Sequence, residues 1–325
     1  MNRDRKRPII LDTDPGGDDL FALFWLLSLV RQDVADLVAI TTAAGNVSAQ
    51  RTFTNASQVL RLFRQETIAI GRGTDSETTS ENASHIHGND GMGNLSTHLP
   101  SASHDFASAP QSADLIVEHL SAHPGEMTLV AVAPLTNLAA AETQCPGILQ
   151  KAREIVIMGG AIRCPGNVTP QAEFNIWFDP TAATTVFQSR ANITLLTLDV
   201  THQLRLTPAM VQSVVAGHPF EPRSQFLTQL CEFMVSTALG YRETGGLPAF
   251  LVHDAAAIGQ VFYPELFSFK RVAVQIETQG QWTKGQTIVG DRRFATPHLN
   301  AWVALEVDEG QFFTNLLADL RSLMA

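Results

Sequence analysis

Three cysteines in 325 residues (Cys145, Cys164 and Cys231) are too few for a disulfide framework, and none stands in the CxxC spacing of a thiolate zinc site. Positive charge is also scarce. Twenty-two Lys and Arg face 32 Asp and Glu, a net charge of −10 with a sequence pI near 5.4. A surface of that sign repels a phosphate backbone, which excludes nucleic acid as the main partner. Long apolar runs are absent too: "FALFWLLSLV" (residues 21–30) is far short of the roughly 20 residues that span a bilayer. The basic "RDRKR" at residues 3–7 ahead of it superficially resembles a signal peptide. Acidic residues lie between the two, however, and no small-residue cleavage pattern follows. Residues 1–7 therefore read as a flexible basic tail, the apolar run as a buried helix, and the whole as a cytoplasmic protein without a membrane partner.

What the chain does have is 45% apolar residues, enough to bury a large core. Its length would accommodate two domains of about 150 residues, although α/β proteins of this size are often one. Short β-branched runs alternate with helix-like segments. "RPIILD", "ADLVAITTAAGN", "TIAIG", "MTLVAVAP", "EIVIMGG" and "NITLLTLD" read as strands. "SAQRTFTNASQVLRLFRQ", "SADLIVEHLSAH", "LTNLAAAETQ" and "PTAATTVFQSR" read as the helices between them. Strands this uniformly apolar belong to a parallel sheet covered on both faces. Beyond residue 207 the sequence reads as mostly helical, with strands at "FKRVAVQIE" and "GQTIVG" and a closing helix from about residue 309. Residues 73–110, rich in Ser, Thr, Asn, Gly and His, read as a mobile loop, either a lid or a disordered insertion.

Polar clusters recur at the strand ends, where α/β sheets bind ligands: "DTDPGGDD", "TTAAGN", "APLTN" and "MGGAIRCPGN". The first packs Asp12, Asp14, Asp18 and Asp19 into eight positions. One or two carboxylates could cap the helix at residue 18; four require a counter-charge. Hard oxygen ligands suit a divalent cation of the Ca²⁺ or Mg²⁺ kind. An EF-hand is excluded because Gly16 stands where its loop needs Asp or Asn, and Gly16 also breaks the haloacid-dehalogenase pattern. Further candidates are spread along the chain. Glu173 and Asn175 in "QAEFNIWFDP" would share one side of an extended segment, and His253 and Asp254 adjoin at a helix start. His85 and His87 lie in the loop. Taken singly, each also fits an ordinary structural role.

Taken together, "DTDPGGDD", "AGN", "HGNDGMG", "APLTNLA", "MGGA", "GNVTPQAEFNIWFDPTAA" and "VHDAAAIG" resemble, in order, the inosine–uridine-preferring nucleoside hydrolase family. Gly17 departs from the pattern, in which a bulkier apolar residue is common. The resemblance implies a single α/β domain over residues 8–325, a mainly parallel, Rossmann-like sheet flanked by helices, and an active site at the C-terminal strand ends. It implies one Ca²⁺ per subunit held by Asp14, Asp19, Asp254 and the Thr136 carbonyl. Asp18, Asn46, Asn167, Glu173 and Asn175 would bind the ribose, and Asp12 would orient the loop. Asp14 would be the general base, His253 the general acid, and His87 would contact or assist the departing base. Tyr241, with Arg242 and Phe250, could touch the base. The substrates expected are ribonucleosides in a salvage role, with uridine, cytidine and inosine foremost, and a homodimer or homotetramer is expected. Two alternatives stay open: a D-x-D phosphohydrolase, and a Ca²⁺-dependent nucleoside- or ribose-binding protein without turnover.

Overall fold

A computed structural model describes residues 6–74, 82–290 and 298–325. Most of the expected basic tail (residues 1–5) and part of the expected loop (75–81) lie outside the described residues. The chain opens with β1 (Arg7–Thr13), α1 (Gly17–Arg31), β2 (Ala35–Thr42), α2 (Ala49–Leu62) and β3 (Ala69–Gly71). After the single turn α3 (Ser84–His87) come α4 (Ser112–Ala122), β4 (Thr128–Ala131), α5 (Thr136–Gln144) and β5 (Glu154–Met158). Next are α6 (Phe174–Phe178), α7 (Pro180–Gln188), β6 (Ile193–Leu196) and α8 (Leu198–Thr201). A small pair, β7 (Arg205–Leu206) and β8 (Phe250–Leu251), brackets α9 (Pro208–Val215) and α10 (Pro222–Tyr241). The chain closes with α11 (Ala255–Phe262), β9 (Phe267–Ile276), β10 (Thr287–Gly290), β11 (Ala301–Val307) and α12 (Glu309–Met324).

Nine of these strands form one sheet in the order β10-β9-β11-β6-β5-β4-β1-β2-β3. All neighbours from β11 to β3 run parallel, and β9 is antiparallel to both β11 and β10. Strand side chains alternate between faces, and here each face has its own core. Ile9 and Leu11 of β1 pack with Val130, Val156 and Met158 beneath α1 and α12. Ile10, Leu129, Ile155 and Ile157 pack on the other face with α5 and α7. The apolar strands are uniform because neither face meets water. The single α/β domain with a mainly parallel sheet is as expected.

Two differences have local causes. The strand expected at "NITLLTLD" stops at Leu196, because Thr197 turns the chain into α8, with Val200 and Thr201 amides bonding back to its carbonyl. β11 falls where no strand was expected; its pairing with β6 and β9, both remote in sequence, stabilises it.

Candidate active site

The sheet order diverges between β1 and β4: the chain moves outward through β2 and β3 on one side and through β5 and β6 on the other. Such a reversal leaves a crevice above the carboxyl ends of the two central strands. The Asp-rich turn after β1 and the Pro134–Asn137 turn after β4 open onto it. Asp12, Asp14, Asp18 and Asp19 are all buried there.

Each carboxylate is held differently. Asp19, in the first turn of α1, accepts from Thr13 Oγ1 at 2.6 Å and from the amides of Asp14 (3.2 Å) and Gly16 (2.9 Å). Its Oδ2 also accepts from Asn46 Nδ2 at 2.9 Å. Asp14 Oδ2 accepts from the Asn46 amide at 2.7 Å, while Asp14 Oδ1 is buried without a partner. Gly45 is required beside it, since a Cβ there would sit 2.1 Å from Asp14 Oδ2. Asp12 lies deeper, its Oδ1 taking hydrogen bonds from Thr41 Oγ1 (2.6 Å) and Asn137 Nδ2 (2.7 Å). Asp254, at the start of α11, does not cap its helix. Its carboxylate instead joins Asp18 and Asp19, ligand atoms of all three lying within 4.8 Å of one another.

Burial and mutual repulsion raise the pKa of every acid in this group. Asp12 is pushed up to about 7 and Asp18 to about 8, mainly by burial, with Asp19 as the principal charged neighbour of Asp18. Asp14 and Asp254 rise well above the ordinary range, again through burial and then through the surrounding aspartates. Carboxylates so placed need protons or a cation. The all-oxygen donor set, the three converging carboxylates and the unpartnered Asp14 Oδ1 fit a hard divalent ion. Thr136 opens α5 at the end of β4, beside β1; its hydroxyl donates to Asp179 Oδ2 at 3.2 Å.

The other expected residues surround this cluster to different degrees. Glu173 and Asn175 do not share an extended segment. Glu173 caps α6, accepting from the amides of Asn175 (2.9 Å) and Ile176 (3.1 Å), because its carboxylate reaches back over the first turn. It also accepts from Gly160 at 2.9 Å, and its buried charge is felt at Asp254. Asn175 Nδ2 donates to the carbonyls of Val132 (2.9 Å) and Met158 (3.3 Å), which anchors it above β4 and β5. Asn167 is exposed and accepts from the Phe174 amide at 2.9 Å, so it is tied to α6 rather than packed into the cluster.

His87 is buried, and its Nδ1 accepts from the Gly17 amide at the start of α1 (2.9 Å). Burial, with His85 nearby, lowers its pKa to about 4. His253 is half-buried, its Nδ1 2.7 Å from Thr201 Oγ1 and its ring 5.8 Å from that of His202. Enclosure, then His202 and His87, lowers its pKa to about 3. Tyr241 ends α10 on the rim, 54% exposed, with its ring edge-on to His85 at 5.7 Å. The described part of the loop is pinned by Asp90, whose carboxylate accepts from the amides of Met92, Asn94 and Ser96 at 2.8 Å each.

Several contributors were not anticipated. Asn137, in the quoted "APLTN", holds Asp12 and the Thr42 carbonyl. Thr13 and Thr41 bond the aspartates directly. Thr201 and His202 border His253 but lie just beyond the segment that read as a strand, "NITLLTLD", where no motif marks them. Gly17 has a structural counterpart too: Met234 of α10 fills the space, with its Sδ 2.1 Å from where a Cβ would stand.

Known proteins share this architecture over its full extent. The profile of the inosine-uridine preferring nucleoside hydrolases matches residues 9–314. A non-specific ribonucleoside hydrolase, RihC, of Escherichia coli (strain SMS-3-5 / SECEC) is 36% identical over 93% of this chain and 94% of its own length. An inosine-uridine preferring nucleoside hydrolase of Leishmania major is 36% identical over 94% of this chain and 95% of its own. Among solved structures, a purine-preferring ribonucleoside hydrolase from Gardnerella vaginalis superposes with a TM-score of 0.89 at 27% identity, covering 98% of this chain and 99% of that one. The chain belongs to the inosine-uridine preferring nucleoside hydrolase family and is a ribonucleoside hydrolase.

Proposed function

We propose that this hydrolase uses one Ca²⁺ per subunit to cleave the N-glycosidic bond of ribonucleosides to base and ribose, favouring pyrimidine nucleosides or a broad range that includes uridine, cytidine and inosine. The observation that carries the cation is the unpartnered, buried Asp14 Oδ1 next to three converging carboxylates. Asp14, Asp19, Asp254 and the Thr136 carbonyl would be its ligands. When bound, such an ion grips a diol and lowers the pKa of a coordinated water.

The chain's own residues account for the rest. Asp18 and Asn46 would hold one edge of the ribose, and Asn167, Glu173 and Asn175 its 3′- and 5′-hydroxyls. Bond cleavage builds positive charge at C1′ and the ring oxygen, which the surrounding carboxylates favour. Asp14 would take a proton from the attacking water. The C1′–N electron pair departs with the base, where His253 is the proposed proton or hydrogen-bond donor and His87 a second contact. Tyr241, beside His85 on the rim, is proposed to meet the base. The residues of the loop around His87 would close over the sugar as a lid. Residues 8–325 would act as one catalytic domain, in a cytoplasmic homodimer or homotetramer serving nucleoside salvage.

The relatives' own names run from non-specific to inosine-uridine preferring to purine-preferring, so base preference is the finer part of the reading. It is tested by ribose release from uridine, cytidine, inosine, adenosine and guanosine under identical conditions. Faster release from uridine, cytidine and inosine than from adenosine and guanosine supports it. Turnover confined to purines overturns it.

A further inference from the structure

The two site histidines share a feature that their separation in the chain, 87 and 253, does not suggest: in each, Nδ1 is already engaged by a neighbour. For His87 the neighbour is the Gly17 amide, at 2.9 Å. A backbone N–H can only donate, so this Nδ1 must carry a lone pair and no proton. For His253 the neighbour is the Thr201 hydroxyl, at 2.7 Å. A hydroxyl can donate or accept, and burial decides which. Thr201 is fully buried, and among the described residues its Oγ1 has His253 Nδ1 as its hydrogen-bond partner. Were Nδ1 protonated, the hydroxyl hydrogen would be enclosed with nothing to accept it, the costly case for a buried donor. The favoured arrangement has Thr201 donating and Nδ1 accepting.

The ring nitrogen that carries the proton is set by what the other nitrogen is bonded to. We propose that both histidines are held in the Nε2–H form, His87 by the Gly17 amide and His253 by the Thr201 hydroxyl, which makes Thr201 a positioning residue for departure of the base. The fold supplies the alignment. Thr201 ends α8, and three residues later the Leu204 carbonyl accepts from the Val252 amide at 3.0 Å. The β7–β8 pair extends that register, so the strand that delivers His253 is fixed against the turn that delivers Thr201. In this form each ring offers one N–H to the negative charge growing on the base. The electron pair of the C1′–N bond stays with the base, and the N–H stabilises it as a hydrogen bond. No net proton leaves the imidazole, and the released base takes its proton from solvent.

This deepens the proposed roles of His253 and His87 and rests on them. The full-length chain, with calcium present and ¹⁵N-labelled histidine, is examined by long-range proton–nitrogen correlation, with His87→Gln and His253→Gln to assign the rings. Expected is a protonated Nε2 and an unprotonated Nδ1 in both; a protonated Nδ1 in either ring overturns the proposal for that ring. In parallel, Thr201→Val and Thr201→Ser are compared on uridine and on a nitrophenyl riboside, whose phenolate needs little stabilisation. Thr201→Val should lose about tenfold or more in kcat/KM on uridine and less than about twofold on the nitrophenyl riboside, with Thr201→Ser restoring most of the loss. Equal losses on both substrates would reduce Thr201 to a packing role. If Thr201→Val does not fold, the wild-type nitrogen signals and Thr201→Ser decide. If His253→Ala itself shows no leaving-group selectivity, the proposed role of His253 fails, while the nitrogen signals still judge the tautomer separately.

Discussion

Asp14 Oδ1 is buried with no hydrogen-bond partner, and Asp14 Oδ2 is aligned by the Asn46 amide. A carboxylate aimed and left half-satisfied in this way is the site's most exposed claim. Asp14→Ala should lower turnover by about 10²-fold or more, measured as ribose release at saturating nucleoside. A loss of less than tenfold would remove Asp14 from the chemistry. Gly45→Ala probes the same atom without altering it: the added Cβ would press on Asp14 Oδ2, so activity should fall steeply while the unfolding midpoint shifts only modestly. Unchanged activity would mean that Asp14 can move without consequence. At this scale the sequence was informative wherever chemistry was concentrated, as in "DTDPGGDD" and "VHDAAAIG". It was silent where a residue acts through another. Thr41, Asn137 and Thr201 are ordinary polar residues in the chain, and only the pairing of remote elements brings them to Asp12 and His253.

α1 delivers Asp18 and Asp19, and its first residue, Gly17, packs against Met234 of α10. A side chain at 17 and the thioether at 234 compete for one space. Gly17→Val should therefore destabilise the protein by about 1–3 kcal/mol through overpacking. Met234→Ala alone should cost about 2–5 kcal/mol through the cavity it leaves. The double variant should be more stable than the sum predicts, because one change fills what the other empties. Denaturant unfolding of all four forms checks this, and strict additivity would contradict the shared space. The parallel strands and their helices were legible because both faces are buried and the runs are uniformly apolar. β11 was not, since Trp302 and Leu305 remain partly exposed within it and blur the alternation that marks a strand. The α6 turn was misread for a different reason: its cap is Glu173, and Ser, Thr, Asp and Asn are the residues that ordinarily signal a helix start.

On the scale of the molecule, the buried acids tie stability to pH and to the cation. An unfolded aspartate titrates near 3.9, whereas in the fold Asp12 is raised to about 7 and Asp18 to about 8. Without a cation the native state therefore binds more protons than the unfolded chain across that window. The contribution of these groups is fully present below about pH 4 and is lost as pH rises through about 8. The proposed ligands Asp14, Asp19 and Asp254, packed beside them, are raised by the same burial and mutual repulsion, and a divalent ion bound to these offsets the loss. The gain in Tm on adding calcium to protein dialysed free of divalent ions should be larger at pH 8 than at pH 5. An equal gain at both would contradict a site built from these acids. No helix among the described residues is long and apolar enough to cross a membrane.

The most direct test of the account is ribose release from uridine by one preparation in three states: as purified, after a chelator has removed divalent ions, and after calcium is restored. The account predicts activity, its loss, and its return with about one calcium bound per subunit. Undiminished ribose release from protein shown to hold no metal would contradict it.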